Sequence, residues 1–366
     1  MPPFARVVAR VAGGLLVITL TCAVARAQQP EAESGRGALE RAGISGSIRA
    51  GYWTSTRDLD AEDHVVTGAI WLKAARPVTN RLSFLIDSWT TARRPSRDAT
   101  GEVREAFVDV QLGRLDLRAG RQIVAWGRAD GINPTDNLTG EDLTLLFPDD
   151  DDRRLGAAAV RASYYVAGLS LSGFWLPEFS GHRFPLPPPP AGVTYHSDRP
   201  EWPGDQWAVR LERTGGAMDW SLSYFRGLDL FPDLAPGEIA EGPSTIDVVR
   251  VSHPRVRILG ADIAANVGRF GLRAEAAFTD TEDATGSDPF TKNPFLFVVV
   301  GADRTFREDL NLNVQYLIRI VIDHQPVPAD DGSFAADVAA QQAILNSQIR
   351  RVQHGMSFRA GYTALR

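Results

Sequence analysis

From about Gly46 onward, apolar side chains recur at every second position and polar ones fill the positions between. Period-two alternation places the two sets on opposite faces of an extended strand. The clearest run is Leu310, Leu312, Val314, Tyr316, Ile318 and Ile320, interleaved with Asn311, Asn313, Gln315 and Arg319. Ala106, Val108, Val110 and Leu112 alternate with Glu105, Asp109 and Gln111, and Trp207, Val209 and Leu211 with Arg210 and Glu212. About fourteen such segments can be placed, near 46–56, 64–75, 80–92, 102–112, 114–124, 155–166, 168–177, 204–213, 217–226, 256–266, 269–279, 294–305, 309–320 and 353–365. A membrane-crossing strand needs roughly nine to eleven residues and a soluble strand averages about five or six. The lengths point to the membrane.

The connections sharpen this. Tight links at 76–80, Gly113, Ala167, 214–217, 267–268 and 307–308 alternate with long ones at 93–101, 125–154, 178–203, 227–255, 280–293 and 321–352. Only the first of the second kind, about 57–63, is short. Short turns at one end and long loops at the other are the habit of transmembrane β-barrels. The expected architecture is therefore all-β: a transmembrane, antiparallel, up-and-down β-barrel with about fourteen strands visible. Closure of the sheet is expected to supply partners for the backbone groups at its edges.

The alternation also sorts charge. Arg49, Lys73, Asp87, Glu105, Asp109, Arg118, Arg161, Arg210, Glu212, Asp262, Arg273, Glu275 and Arg319 fall on the polar, inward face. Trp89, Trp175 and Trp207 fall toward the loop ends of their segments, and Tyr164 and Phe270 toward the turn ends, as two interfacial girdles require.

Composition adds exclusions. After the N-terminus no apolar stretch reaches the ~18 residues of a membrane helix. With 39 basic against 45 acidic residues, nucleic acid is not an expected partner. The single cysteine, Cys22, excludes a disulfide framework. Arg6 and Arg10, the apolar stretch from Val11 to Ala25 and the small-x-small site Ala25-Arg26-Ala27 read as a signal peptide over 1–27, with a periplasmic lead over 28–45 and the barrel over 46–366. The expected location is the bacterial outer membrane, in contact with its lipid.

The candidate chemistry lies mostly in loops. The 125–154 loop carries Arg128, Asp130 and Asp136, and folding back into the lumen would make it a constriction. There it would act with Arg118, Glu105, Asp109, Arg210, Arg273, Glu275 and Arg319 of the strands; the alternative is an exposed, ordered cap. The run Asp149 to Asp152 lacks the spacing of a calcium loop and reads as a solvated acidic turn neutralised by Arg153 and Arg154. Pro185 and Pro187 to Pro190 stiffen the 178–203 loop. Phe334, Val338, Leu345 and Ile349 fit a short amphipathic helix that plugs the lumen or lies over its mouth. The six histidines sit in no catalytic or metal-binding spacing and read as solvated, so neither an enzyme, a metal site nor a cofactor is expected.

Gly120-Arg121-Gln122, Val124, Trp126-Gly127 and Asn133-Pro134-x-Asp136 resemble a motif of a family of proteobacterial outer-membrane barrels catalogued as a domain of unknown function. Gly271 to Ala277 and Arg351 to Gly355 look similar as well. Members are generally longer and often encoded beside RND-type lipid and efflux exporters. The resemblance thus implies traffic of amphipathic or hydrophobic compounds. The chain stops at Thr363-Ala364-Leu365-Arg366 without the usual terminal aromatic residue, and the resemblance favours a fragment of a barrel with sixteen or more strands. The expected function is a porin-like channel or facilitated transporter for small solutes. The alternative is a plugged barrel that binds or assembles with an envelope export system.

Overall fold

The computed structural model describes residues 42–59, 62–94, 99–144, 150–184, 186, 192–198, 206–241, 244–307 and 309–362. The signal peptide, most of the lead and the polyproline run lie outside them. Seventeen strands occur in chain order. They begin with β1 (Ile44–Leu59), β2 (Glu62–Pro77), β3 (Leu82–Arg94), β4 (Ala99–Leu112), β5 (Leu115–Gln122) and β6 (Ala157–Val166). Next come β7 (Leu169–Leu176), β8 (Thr194–Ser197), β9 (Gln206–Arg213), β10 (Met218–Leu228), β11 (Asp233–Glu241) and β12 (Ser244–Ser252). The last are β13 (Arg255–Val267), β14 (Phe270–Asp280), β15 (Phe295–Phe306), β16 (Leu310–Val321) and β17 (Val352–Tyr362). Among the described residues one α-helix, α1 (Phe334–Leu345), precedes β17.

Fourteen strands form one sheet in chain order, β1 to β7, then β9, β10 and β13 to β17, each antiparallel to the next. This is the expected up-and-down wall. Its register joins the inward charges into one surface: Lys73 lies opposite Asp87, Asp87 opposite Glu105, Asp109 opposite Arg118, and Arg118 opposite Arg161. Arg161 leads across Phe174 and Ala208 to the face of Arg210, and Asp262 lies opposite both Ser221 and Glu275. With period two, every charge expected inside stands on that one face. The other face is apolar and uncovered: Ile70, Leu222 and Leu259 are 53%, 54% and 58% exposed. An apolar belt this continuous is stable only against hydrocarbon.

Aromatic residues mark the belt's margins. Toward the loop end Trp175 pairs across the sheet with Trp207, whose ring lies 5.1 Å from Tyr224. Toward the turn end the Arg304 guanidinium covers Phe270 and Phe306, carrying its charge toward the interface. Trp89 departs from the expectation. It is buried on the inner face, stacked on Trp71 at 6.4 Å between centroids, because it shares the parity of Asp87.

Three further features differ from the sequence reading. β1 runs to Leu59 and β2 starts at Glu62, while β3 runs to Arg94 and β4 starts at Ala99. The loop-end links at about 57–63 and 93–101 are thus paired strand for most of their length. A polar segment can continue a backbone ladder beyond the membrane, so polarity does not end a strand. Second, β1 and β17 occupy the two ends of the sheet order and do not pair with each other among the described residues. The terminal strands are not brought into register, and the expected closure is absent. Third, the 227–255 connection is not an irregular loop: β11 and β12 form a hairpin with β8 added in parallel.

Helix α1 packs on this small sheet, which settles its position at the loop end. Ser333 caps it by accepting the Ala336 amide at 3.2 Å. Val338 packs against Leu234, Val249 and Val251, with Phe334 and Leu345 beside them. Gln342 accepts the Leu234 amide at 2.7 Å and donates to Asp233 at 2.7 Å. Lys292, 1% exposed, reaches Asp229 at 2.8 Å and Asp233 at 3.6 Å, which joins the 280–293 connection to the same unit.

The two-solvent reading makes a direct prediction. Leu222→Arg, near the middle of β10 on the apolar face, is expected to destabilise the protein by about 2–4 kcal/mol in lipid vesicles. Urea-induced unfolding from vesicles measures this; a cost near zero would mean that this face meets water.

Candidate functional site

The segment after β5 turns inward because of its glycines. Gly120 has φ +131°, and a Cβ there would lie 2.3 Å from the Ala106 carbonyl oxygen. Gly127 has φ +93°, and a Cβ would lie 2.6 Å from both Glu275 carboxylate oxygens. Only glycine combines that backbone angle with such close approach. Between them Gln122 is fully buried and donates to the Ala159 carbonyl at 2.9 Å, and Glu105 accepts the Ile123 amide at 3.1 Å. Trp126 then packs edge-on against Phe174 at 5.5 Å, inside a cluster with Val124, Leu138, Phe225 and Ile258.

Having left the β4–β7 side, the loop is fastened to the opposite wall. Glu275 of β14 accepts the amides of Arg128, Ala129 and Thr135 at 3.0, 3.2 and 2.8 Å, and the Thr135 hydroxyl at 2.7 Å. A carboxylate 1% exposed is held by four donors from the loop it anchors. Arg128 extends to Asp262 at 2.7 Å, with Asp219 and Glu212 at 3.7 and 4.0 Å. Arg210 meets the same Asp262 at 3.1 Å and Glu212 at 3.3 Å, and Ser221 completes the group by donating to Asp262. Asp130 pairs with Arg273 at 2.6 Å and accepts from Asn313 of β16, and Arg273 also reaches Asp303 at 3.0 Å. The loop therefore runs through the interior rather than capping it.

Four candidates stand apart from this junction. Arg118 and Asp109 form a forked pair at 2.7 and 2.9 Å toward the turn end. Arg319 lies flat over Phe295 with its guanidinium carbon 3.5 Å from the ring centroid. Arg121 faces away from the inner surface and binds Glu178 at 2.8 Å and Glu102 at 3.3 Å. Farther along the loop, Asp136 accepts the Trp126 amide at 3.1 Å and pairs with Arg154 at 2.5 Å. Burial pushes its carboxyl up to about 6, against the opposing pull of Arg154. The Pro134 carbonyl accepts the Asn137 side chain at 2.9 Å, and the Asn133 carbonyl accepts the Asp136 amide at 3.1 Å, closing the turn that carries Thr135.

The acidic run is solvated only in part: Asp151 is 85% exposed and pairs with Arg154 at 3.4 Å, as expected, whereas Asp152 is buried. Asp150–Arg153 is a short 3-10 helix in which Asp152 pairs with Arg49 of β1 and the Asp151 carbonyl accepts from Arg104. Arg49 and Arg104 both cover the Trp71 ring, at 4.3 and 4.4 Å. The start of the strand wall thus provides the counter-charge of Asp152, and Arg154 that of Asp151. Two histidines also depart from the solvated reading. His182 Nδ1 accepts the Glu141 amide at 2.9 Å and its ring lies 4.4 Å from Phe231; His253 bonds the Asp229 carbonyl at 2.7 Å. Burial depresses His182 to about 4 and lowers His253.

Sequence reading missed Thr135, Ser221, Asp303 and Asn313 as partners in the junction. Ser221, Asp303 and Asn313 share the inward parity of the charges, a signal that the alternation carried. Thr135 carried no such signal, since a loop has no parity.

Replacing Glu275 by Gln puts a donor where two amides or an amide and a hydroxyl converge. Glu275→Gln is expected to raise hydrogen exchange of the 126–136 amides by about 10- to 100-fold; unchanged exchange would remove the anchoring role. For His182, a ring that must stay neutral to accept a bond favours the closed contact fully above its unfolded value near 6.5. That contribution is lost as pH falls from about 6.5 to about 4. The opening equilibrium at Glu141 should rise by up to about tenfold per pH unit in that window, read by exchange corrected for its intrinsic pH dependence. His182→Phe should flatten the profile.

No curated protein is significantly similar in sequence. OmpF of Salmonella typhi, solved with daunomycin, aligns at 14% identity and a TM-score of 0.43, covering 76% of this chain and 78% of that one. OprB of Pseudomonas putida, in a high-pH structure, aligns at 12% and 0.43, covering 88% and 86%. An anion-selective porin from Comamonas acidovorans aligns at 10% and 0.34, covering 78% and 91%. A family described as "Protein of unknown function (DUF1302)" matches residues 54–355, and the chain belongs to that family.

Proposed function

We propose that this protein is an outer-membrane channel of the porin type for small, amphipathic solutes, with the turns in the periplasm and the long loops outside. The observation that carries this reading is the course of the loop over residues 123–144 and 150–156. It leaves the wall at β5, is held at Glu275, Asp262 and Asp130 by bonds to or from the far strands, and returns at β6. A segment so placed narrows a lumen without sealing its whole section. Opposed charges at the narrowing select by charge as well as by size. Arg128 and Arg210 face Asp262, Glu212 and Asp219 there.

A second reading has its own support. Trp126, Val124 and Leu138 pack on inward Phe174, Phe225 and Ile258, so one side of the interior is dry core rather than aqueous wall. A barrel filled in this way suits a plugged component that binds partners of an envelope export system.

Planar-bilayer recordings separate the two. Replacing residues 128–135 by a short glycine linker is expected to raise single-channel conductance several-fold over a measurable wild-type value. A wild type without conductance that opens only on deletion favours the plug. Equal conductance before and after deletion would end the constriction role.

A further inference from the structure

On the loop-end side of the junction lies a cavity of about 570 Å³, bounded by the 131–143 segment, the β15–β17 wall and the end of α1. Much of its wall is apolar, including Ile132, Leu230, Phe297, Leu317 and Leu345. Its charged groups are, with one exception, already matched. Lys292 holds Asp229 at 2.8 Å, Arg153 holds Glu141 at 2.8 Å, and Asp136 is held by Arg154 at 2.5 Å.

The exception is Arg319. Directly across the sheet from it stand Phe297 on β15 and Gln353 on β17, neither of which carries charge. Among the described residues no carboxylate lies within 4.0 Å of its guanidinium, and its Nε has no hydrogen-bond partner. Its guanidinium lies on the ring of Phe295, 3.5 Å from the centroid. A guanidinium stacked flat on an aromatic ring keeps its N–H edge free, and that edge matches a carboxylate in a two-pronged bond. No counter-charge touches Arg319: Asp229 acts on it only from a distance and is already held by Lys292, so the site gains most from a ligand that brings a carboxylate into contact.

We infer that this cavity binds an organic anion with an apolar body, its carboxylate received by Arg319 and its hydrocarbon or aryl part lying on Phe297, Leu317 and Ile132. The cavity is in the range of sites that enclose small organic molecules, roughly 300–1,000 Å³. Its walls offer little to a small hydrated anion such as acetate. The inference rests on the channel reading, since a solute held there would sit just before the narrowing; binding itself does not require conduction.

Equilibrium dialysis of the full protein in lipid nanodiscs tests it, with 2-naphthoate, the uncharged 2-naphthalenemethanol and acetate as probes. Wild type is expected to bind naphthoate at least tenfold more tightly than the alcohol or acetate. Arg319→Gln should remove that preference by about 10- to 100-fold, while Arg319→Lys retains part of it. Phe295→Leu, which leaves the charge in place, should weaken naphthoate several-fold and carries the comparison with Arg319→Lys if Arg319→Gln does not fold. Equal binding of naphthoate and the alcohol, acetate competing as well as naphthoate, or an affinity indifferent to residues 319 and 295 overturns the proposal. Bilayer conductance of the same preparations is recorded in parallel. Arg319-dependent binding without conductance upholds the site and removes the channel.

Discussion

A backbone that crosses hydrocarbon has no water to bond, so each N–H and C=O of the spanning strands must find its partner in a neighbouring strand. The fourteen-stranded sheet follows from that constraint. Once the ladder is fixed, side chains have two destinations, and the chain's alternation assigns them: Leu222 and Leu259 to lipid, Asp262 and Glu275 to the interior. Past the apolar belt that constraint no longer applies, yet the ladder continues in β1 to β4, because strand pairing remains favourable in water.

The interior then faces a second problem, which is a surplus of buried charge. Glu275 and Asp262 are almost wholly withdrawn from solvent and would be strongly destabilising without partners. The returning loop supplies them as backbone amides and as Arg128. Wall and loop are thus mutually dependent, and the glycine at 127 is the geometric condition for their approach. This accounts for the motif from Gly120 to Asp136 in terms of contacts. Gln122 and Trp126 seat the departure of the loop, Gly127 lets it pass Glu275, and the Asn133–Asp136 turn presents Thr135.

Above the junction, segments distant in sequence share one small apolar core. Val338 of α1, Leu234 of β11 and Val249 of β12 come together, with Lys292 locked between Asp229 and Asp233. Burial raises Asp233, and its bonds to Gln342 and Lys292 work against that rise. These contacts hold the far ends of three connections as one unit beside the cavity that contains Arg319.

The chain's own pattern was sufficient for the strand wall, its order and the inward set of charges, because strand parity is a local property that two adjacent residues already declare. It also marked a helix at Phe334, Val338 and Leu345, although the expected pattern ran on to Ile349, which lies exposed beyond the Asn346 cap, and it marked the 125–154 segment as unusual. The parity of Asp87 also carried the inward turn of Trp89, against the girdle expected there, but the pattern did not reveal that 233–252 pairs as a hairpin despite Pro236 or that Asp152 finds Arg49. It left open whether the long loop enters the lumen. The pairing of Asp152 and the course of the loop rest on partners more than a hundred residues away, such as Arg49 and Asp152, Thr135 and Glu275 or Arg128 and Asp262. Alternation tells a residue which face it occupies; only the assembled wall decides what stands opposite, and a buried charge is settled by its neighbour.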